Sequence, residues 1–515
     1  MTNLLTYSVA PTLALMIALP AQAQDFDLPP DLPGYVDESV TPQDAVADVP
    51  DASEDVIEDA SVDVADVPEL DDATGVPDLE EVPEVDGVPE LAAADDTTFE
   101  AEEDPRFSFG RNATLELEAR VFANTDLSGD TSHALRLQAH YFGSWEISDR
   151  SSVIFNLRAR TDKVDGVAYR FEDDFNFDVQ ELAFSYAPNP GTTFQIGRIN
   201  IRNGVASGFN PTDWFKDDSL VVTGSAAPSD RRNERLGVLA LTATTSIGDT
   251  LVTLGYRPKI DADPDTIWTD RDNFGLGLDR TNPSEAWFIK ATPNIGDNLS
   301  LTANALLIDD EPGIGFELSG TVGDNLVLYS EVMAQKRLSL ADEALGATLG
   351  SAGFRSGVGA GKGKEWHTQA ALGLNWALPQ PIVGARDVSL TFEYHLNSAG
   401  LTSGQIDALS GAAGPDLAAA GALYGLANRR QEPLAREQLF TRFAWNDFWG
   451  DSDMSLLGFY VPADGSGLAQ ISIDVPVGDN GLFNLRGITT FGDDQSVYGA
   501  NPTKSSVQMG LTYTF

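Results

Sequence analysis

From residue 113 onward the chain alternates apolar and polar positions with a period of two. In 113–122, Leu115, Leu117, Ala119 and Val121 share one face, and Thr114, Glu116, Glu118 and Arg120 share the other. In 133–147, Leu135, Leu137, Ala139 and Tyr141 oppose Arg136, Gln138 and His140. In 153–160, Val153, Phe155, Leu157 and Ala159 oppose Asn156, Arg158 and Arg160. Residues two apart lie on the same face of a strand, so each run predicts a strand with one apolar face and one charged face. A soluble sandwich rarely keeps that division along every strand. A barrel with lipid outside and water inside requires it. About 18 such runs can be counted, which predicts an all-β fold, a transmembrane antiparallel up-and-down β-barrel.

The connections sort by length. Short turns occupy one side: 148–152, Asn189-Pro190-Gly191, Gly248-Asp249, Gly296-Asp297, Gly323-Asp324-Asn325 and Gly478-Asp479-Asn480. Gly, Asp and Asn supply the positive φ that tight hairpins need. The other side carries long connections at 162–176, 203–234, 261–283, 337–364 and 398–436, with short ones near 309–313 and 463–467. This asymmetry is the outer-membrane pattern. An even strand number leaves both chain ends on the short-turn, periplasmic side. The Ala/Gly/Leu-rich stretch 398–436 is expected to hold a helix and to serve as a plug, an outer lid or a plain loop. Trp145, Trp376, Trp445 and Trp449 fall near periplasmic strand ends, and Trp287 and Trp366 near outer ends, where interfacial belts place aromatics.

The last stretch, SSVQMGLTYTF, alternates Val507, Met509, Leu511, Tyr513 and Phe515 with polar or small residues and ends on the final aromatic. It resembles the closing strand of bacterial outer-membrane β-barrels, the segment their assembly machinery reads. The resemblance implies that Tyr513 and Phe515 form an assembly signal. A second segment, 194–213, reads FQIGRINIRNGVASGFNPTD. Its Gly197-Arg198, Gly204 and Asn210-Pro211-Thr212-Asp213 resemble a segment in several families of specialised outer-membrane channels, including alginate-export-like and other substrate-specific porins. Asn203 stands where such segments often carry Trp or Tyr. The resemblance implies a barrel and a channel, with no particular substrate. Physically, a strand feeds a long loop through an Asn-Pro-x-Asp turn or cap. If the loop folds into the pore, Asn210, Pro211 and Asp213 form a constriction; otherwise the loop caps on itself outside.

Polar-face parity marks Glu116, Glu118, Arg120, Arg136, His140, Arg158, Arg160, Arg198 and Arg202 as candidate pore-lining and selectivity residues, with Arg231, Arg232 and Arg235 nearby. Clustered lumen arginines would favour anionic groups in transit. Alternatively they pair with Glu116, Glu118, Asp178 and Glu181 as structural ion pairs.

Composition narrows the classes. The 515 residues hold 32 Lys+Arg against 79 Asp+Glu, a net charge of −47, which excludes nucleic acid as a partner. The absence of cysteine excludes disulfides, thiol nucleophiles, thiolate metal sites and a lipoprotein anchor. The body has no apolar run long enough for a transmembrane helix. The charge is uneven. Residues 25–105 carry 29 acidic residues and no Lys, Arg or His, with Val-Pro-Glu-Leu-like repeats at Val67, Val76, Val82 and Val88. Residues 24–105 are therefore expected to be a disordered, acidic, Pro-rich periplasmic arm. It would act as a solvated linker, a docking segment for a basic periplasmic partner, or a weak divalent-cation sponge. An apolar run at 13–19, Pro20 and Ala21-Gln22-Ala23 predict a signal peptide over 1–23, without the usual basic residues ahead of it. The barrel is assigned to 106–515.

Other chemistry is sparse. Asp261-x-Asp263-x-Asp265 has Thr266 where a calcium loop needs Gly. His140, His367 and His395 fall singly on the lumen face, and His133 lies beside Ser132 near a rim. No catalytic residue, metal site or cofactor is expected. The expected function is an outer-membrane, porin-like channel for diffusion or export of small solutes, anionic ones among them. Its partners would be outer-membrane lipid, the barrel-assembly machinery and the solute. The alternative is a structural or adhesion barrel with a plugged lumen, its acidic arm docking periplasmic partners.

Overall fold

The computed structural model describes residues 112–221, 224–263, 266–269, 274–296, 298–383 and 386–515. The expected signal segment, the acidic arm and Asp265 lie outside these residues. Eighteen strands follow in order: β1 (Ala113–Asp126), β2 (Thr131–Ser148), β3 (Ser151–Val164), β4 (Phe175–Asn189), β5 (Thr192–Ile199), β6 (Val238–Ile247), β7 (Thr250–Arg257), β8 (Ala286–Pro293), β9 (Leu299–Ile308), β10 (Glu311–Val322), β11 (Leu326–Arg337), β12 (Glu365–Ala377), β13 (Asp387–Asn397), β14 (Glu437–Trp449), β15 (Ser452–Val461), β16 (Ser466–Val477), β17 (Gly481–Phe491) and β18 (Thr503–Thr514). Each pairs antiparallel with its sequence neighbours. β18 returns to β1 in continuous register from Glu116 opposite Thr514 to Thr125 opposite Ser505, so the sheet closes. Closure removes the edges that an open sheet of this size would expose.

The alternation now has a physical meaning. Leu117, Val121, Leu137, Ile196, Leu254, Phe316, Leu372 and Val507 stand exposed on the outer surface. Their alternating neighbours, such as Arg158, Glu331, Glu393 and Gln508, are buried inside. An apolar band of this kind is at home only in lipid, and a closed barrel is the sheet that satisfies its own backbone there. Trp145, Trp287, Trp366 and Trp449 are exposed near strand ends, as a belt at the two interfaces requires.

Two long connections on the outer side build a helical cap. The β11–β12 connection carries helices Leu340–Leu345 and Ala352–Gly357, and the β13–β14 connection carries Ser403–Ser410 and Asp416–Arg430. Ser339 and Thr402 cap two of these helices, Ser339 by accepting from Asp342 N at 3.1 Å and Thr402 in a capping box with Gln405. Leu340, Leu345, Phe354, Ile406, Leu409, Leu423 and Leu426 share one apolar core, joined by Val461 of β15. The stretch 398–436 holds helices, as expected, and they pack with those of the β11–β12 connection beside the outer end of β15.

Leu137 keeps 47% of its surface exposed on the outward face of β2. Leu137→Arg should therefore destabilise the barrel in a bilayer by about 2–4 kcal/mol. Denaturant unfolding in liposomes checks this, and an unchanged midpoint would contradict the outward placement.

Candidate functional site

Between β5 and β6 the chain does not stand outside the barrel. Residues 200–221 and 224–237 fold back into the lumen, where three kinds of contact hold them. The first is apolar. Trp214 and Phe215 pack on the inward ring of Phe288 in β8, both at 5.6 Å between centroids. Ala183, Val238, Leu306 and Met333 belong to the same cluster.

The second contact is polar and lies on the far wall. In the β10–β11 register Glu317 faces Glu331 directly. Like charges so placed repel unless donors intervene. The facing positions on β12 and β14 supply no base: Ala371 opposes Glu331, while Gly373 and Phe440 oppose Glu393. The loop supplies the donors. Glu331 accepts from the backbone N–H of Val205 at 3.0 Å, Ala206 at 3.2 Å and Thr212 at 2.6 Å. The Thr212 hydroxyl lies 2.8 Å from Glu331 and 2.9 Å from Glu317, its one proton serving either. Asn304 also donates to Glu317, at 2.9 Å. Glu393 accepts from Ser207 N at 2.5 Å, Gly208 N at 2.8 Å and the Tyr329 hydroxyl at 2.6 Å, and His395 Nε2 lies 2.7 Å away. Backbone must approach these carboxylates closely, and two glycines allow it. A Cβ at Gly204, where φ is +96°, would sit 2.5 Å from Glu331 Oε2. One at Gly208 would meet the Phe440 ring at 2.6 Å.

The third contact is a second lobe on the opposite wall. Gly224 O accepts from Gln508 Nε2 at 2.8 Å and from Arg486 Nη1 at 3.1 Å. Gln470 Oε1 accepts from Ala226 N at 2.7 Å, and Arg486 pairs with Asp230 at 2.8 Å. The loop thus spans the lumen from wall to wall.

The expected site residues take the following places. Asn210, Pro211 and Asp213 are buried in the inward stretch. The Asn210 amide donates to Ala206 O at 2.6 Å, and Asp213 pairs with Arg235 and lies 4.0 Å from Arg232. Arg198 donates to Gly237 O at 2.9 Å and Leu276 O at 2.8 Å. Arg160 donates to Val221 O at 2.8 Å, and Arg158 pairs with Glu234. These three arginines hold loops. Arg120 pairs with Glu118 and donates to Asn484 at 2.9 Å. Arg136 pairs with Asp162 at 2.6 Å and lies over the Phe122 ring. His140 bridges Glu116 at 3.3 Å and Asn156 at 2.7 Å. Arg202 donates to Asn233 at 2.9 Å on an exposed part of the loop. Tyr513 and Phe515 sit exposed on the outward face at the C-terminal end of the closing strand, their rings 4.7 Å apart. His395 is not single, as expected from sequence, but sits between Glu393 and Gln438. Glu317, Glu331, Glu393, Lys216 and Gln431 were missed. Inward glutamates on neighbouring strands without a facing base were the available signal.

Between the loop, the cap and the β1–β3 and β14–β18 wall lies a cavity of about 810 Å³. Its charged lining is Arg136, Lys216, Arg231, Arg232 and Arg235 against Asp162 and Glu432. Asp162 is matched by Arg136, and Glu432 by a two-pronged contact from Arg337 at 2.8 and 2.6 Å. The Arg231 guanidinium has no hydrogen-bond or ion-pair partner among the described residues, so the cavity keeps a positive excess.

The cap is fastened to the loop beside this cavity. Asp218 N donates to Arg429 O at 2.9 Å. Arg430 pairs with Glu343 at 2.6 Å and reaches Asp217 at 3.7 Å. Enclosure raises the Asp217 pKa to about 6, against the pull of Arg430 and Lys216. The Asp217 side chain still keeps 39% of its surface open, so water in the lumen moderates the effect. Enclosure works the same way on Glu432, but Arg337, Arg430 and Lys216 outweigh it and hold that pKa at about 2.

A closed ring, an apolar outer band and a polar interior define the class: a transmembrane β-barrel of the bacterial outer-membrane type, with a loop folded across its lumen. No family model matches the sequence. No curated protein matches it significantly. Among solved structures, the chain is similar in shape to Pseudomonas aeruginosa OccK5 (OpdH), with a TM-score of 0.44 and 8% identity over 79% of this chain and 99% of that one. It is also similar to the outer membrane protein opdK of Pseudomonas aeruginosa, with a TM-score of 0.43 and 9% identity over 79% of this chain and 100% of that one. A third is Pseudomonas aeruginosa OccK8 (OprE), with a TM-score of 0.42 and 10% identity over 78% and 98%.

Glu331→Ala orphans three backbone N–H groups, and loop docking should weaken by about 3 kcal/mol or more. Limited proteolysis should then cut within 203–216 while the barrel stays folded; continued resistance would contradict the anchoring role. The pH dependence has a definite sign. Asp217 binds its proton more tightly when the cap is docked, so docking strengthens as pH falls through about 6 toward the ordinary carboxylate range, and Glu432 stays charged throughout. Protection factors of the 216–219 amides should rise from about pH 7.5 to about pH 5, and Asp217→Asn should abolish the trend. A fall on acidification would reverse the assignment.

Proposed function

We propose that this chain is an outer-membrane channel through which small solutes diffuse, with anionic solutes favoured. The observation that carries the reading is the cavity of about 810 Å³ beside the lumen loop, with its excess of cationic side chains. A ring of 18 strands is wide enough to leave an aqueous path unless something fills it. The loop narrows that path, and a lumen packed with side chains would not retain a space of this size. Low-dielectric walls focus the field of the arginines on whatever crosses. Selective passage needs attraction strong enough to draw an ion in and weak enough to release it. Arg231 supplies attraction, while Asp213 tempers Arg232 and Arg235. The proposal extends to the flanking segments: residues 1–23 as the signal peptide, 24–105 as an acidic periplasmic arm that serves as a solvated linker or docks a basic partner, and Tyr513 with Phe515 as the signal read by the barrel-assembly machinery.

Reversal potential in a KCl gradient tests this on the full chain refolded into planar bilayers. The wild type should prefer anions, and Arg231→Ala combined with Arg232→Ala should lower that preference several-fold. A cation-selective wild type, or an unchanged double variant, would overturn the charge reading. Electrical silence from a folded, heat-modifiable barrel would favour the filled structural barrel instead.

A further inference from the structure

The helix Asp416–Arg430 of the cap ends at Gln431, whose φ is 51°. This left-handed residue turns the chain, and Gln431 becomes part of the cavity wall. Its amide joins two points of the lumen loop that are far apart in sequence. Nε2 donates to Lys216 O at 2.6 Å, while Oε1 accepts from Arg235 Nε at 3.1 Å and Nη2 at 2.9 Å. The other terminal nitrogen of Arg235, Nη1, pairs with Asp213, the carboxylate that also lies 4.0 Å from Arg232. Lys216 donates to Asn210 O at 2.7 Å and lies 4.5 Å from the centre of the Phe209 ring.

We propose that Gln431 is the positioning residue for the cationic face of the cavity, so that the cap sets the ion preference of the channel. The proposal rests on the channel reading above. Asp213 has two guanidiniums within reach. Gln431 holds Arg235 by the two nitrogens that Asp213 does not use, and the fork geometry of the guanidinium then fixes Arg235 against Asp213. One oxygen of Asp213 is thereby engaged, and Arg232, whose Nη2 donates to Asn203 O at 3.0 Å, keeps its charge toward the cavity beside Arg231. Without the amide, Arg235 loses two hydrogen bonds and the Lys216 carbonyl keeps only its Ser219 donors. Asp213 then draws Arg232 away from the solute path. A side chain delivered by one outer loop thus determines where the charges of another loop point.

The test uses the full-length channel in planar bilayers, with reversal potential in a KCl gradient and block of chloride current by inorganic phosphate as readouts. Gln431→Gly keeps the left-handed turn and removes the amide. Gln431→Asn keeps an amide and tolerates the turn but is one methylene too short to bridge. Arg429→Ala is the control, since Arg429 lies in the same turn, its side chain is 56% exposed and, among the described charged groups, it pairs with Asp218 alone. Both Gln431 variants should lose much of the anion preference, with phosphate block weakened about tenfold, at a single-channel conductance within about a factor of two of wild type. Arg429→Ala should match the wild type. Unaltered selectivity and block in the Gln431 variants would overturn the proposal. So would an equal shift in Arg429→Ala, because a loosened cap would then account for the effect. If Gln431→Gly fails to assemble, Gln431→Asn decides. A wild type without anion preference would overturn the charge reading, and this proposal with it, whereas an anion-selective wild type with inert Gln431 variants overturns this proposal alone.

Discussion

A carboxylate on the inside of a barrel wall needs donors, and on β10, β11 and β13 the wall does not provide enough. Glu317 and Glu331 face each other across a strand pair, and Glu393 opposes a glycine and a phenylalanine. Burying such charges unpaired costs several kcal/mol each. The β5–β6 connection has the complementary problem, because loop backbone drawn inside a barrel leaves N–H groups without water. Each solves the other's. Five backbone N–H groups of the segment 205–212 point at Glu331 and Glu393. Glycine at 204 and 208 makes room for that approach.

The remaining features follow in order of dependence. Closure of the strands fixes the ring, and the ring brings β10–β13 across from β5 and β6. The wall carboxylates then fix the inward lobe of the loop, and Trp214 and Phe215 seal its near side. The return limb, with the short helix Pro228–Asn233, carries Arg231, Arg232 and Arg235 to the cavity. The cap contacts this loop through the Arg429 carbonyl, Arg430 and Gln431. Cap, loop and cationic face therefore form one mechanical unit.

The alternation of Leu117, Leu137 and Val507 with polar neighbours made the strands, their number and the inside–outside division legible, because the side-chain period of a strand is local. The parity of short turns and long connections was legible for the same reason. The fate of Asn210–Asp213 was not. Those residues announce a turn, but where the turn goes depends on Glu331, over a hundred residues away, and on a register that sequence does not state. Arg158, Arg160 and Arg198 were assigned to the lumen face by parity. The partners of Arg160 and Arg198 are loop carbonyls, which have no signature in side-chain sequence. Glu393 and His395 were within reach of inspection: they are two apart on one strand, share a face and meet at 2.7 Å.

If wall carboxylates hold the loop across the lumen, they set the width of the path. Single-channel conductance of wild type beside the Glu331→Ala, Glu393→Ala double variant tests it most directly. The wild type should give small, steady steps and the double variant steps several-fold larger and noisier, from barrels that are equally heat-modifiable. Equal conductance from the two would mean that the wall carboxylates and their loop do not limit passage.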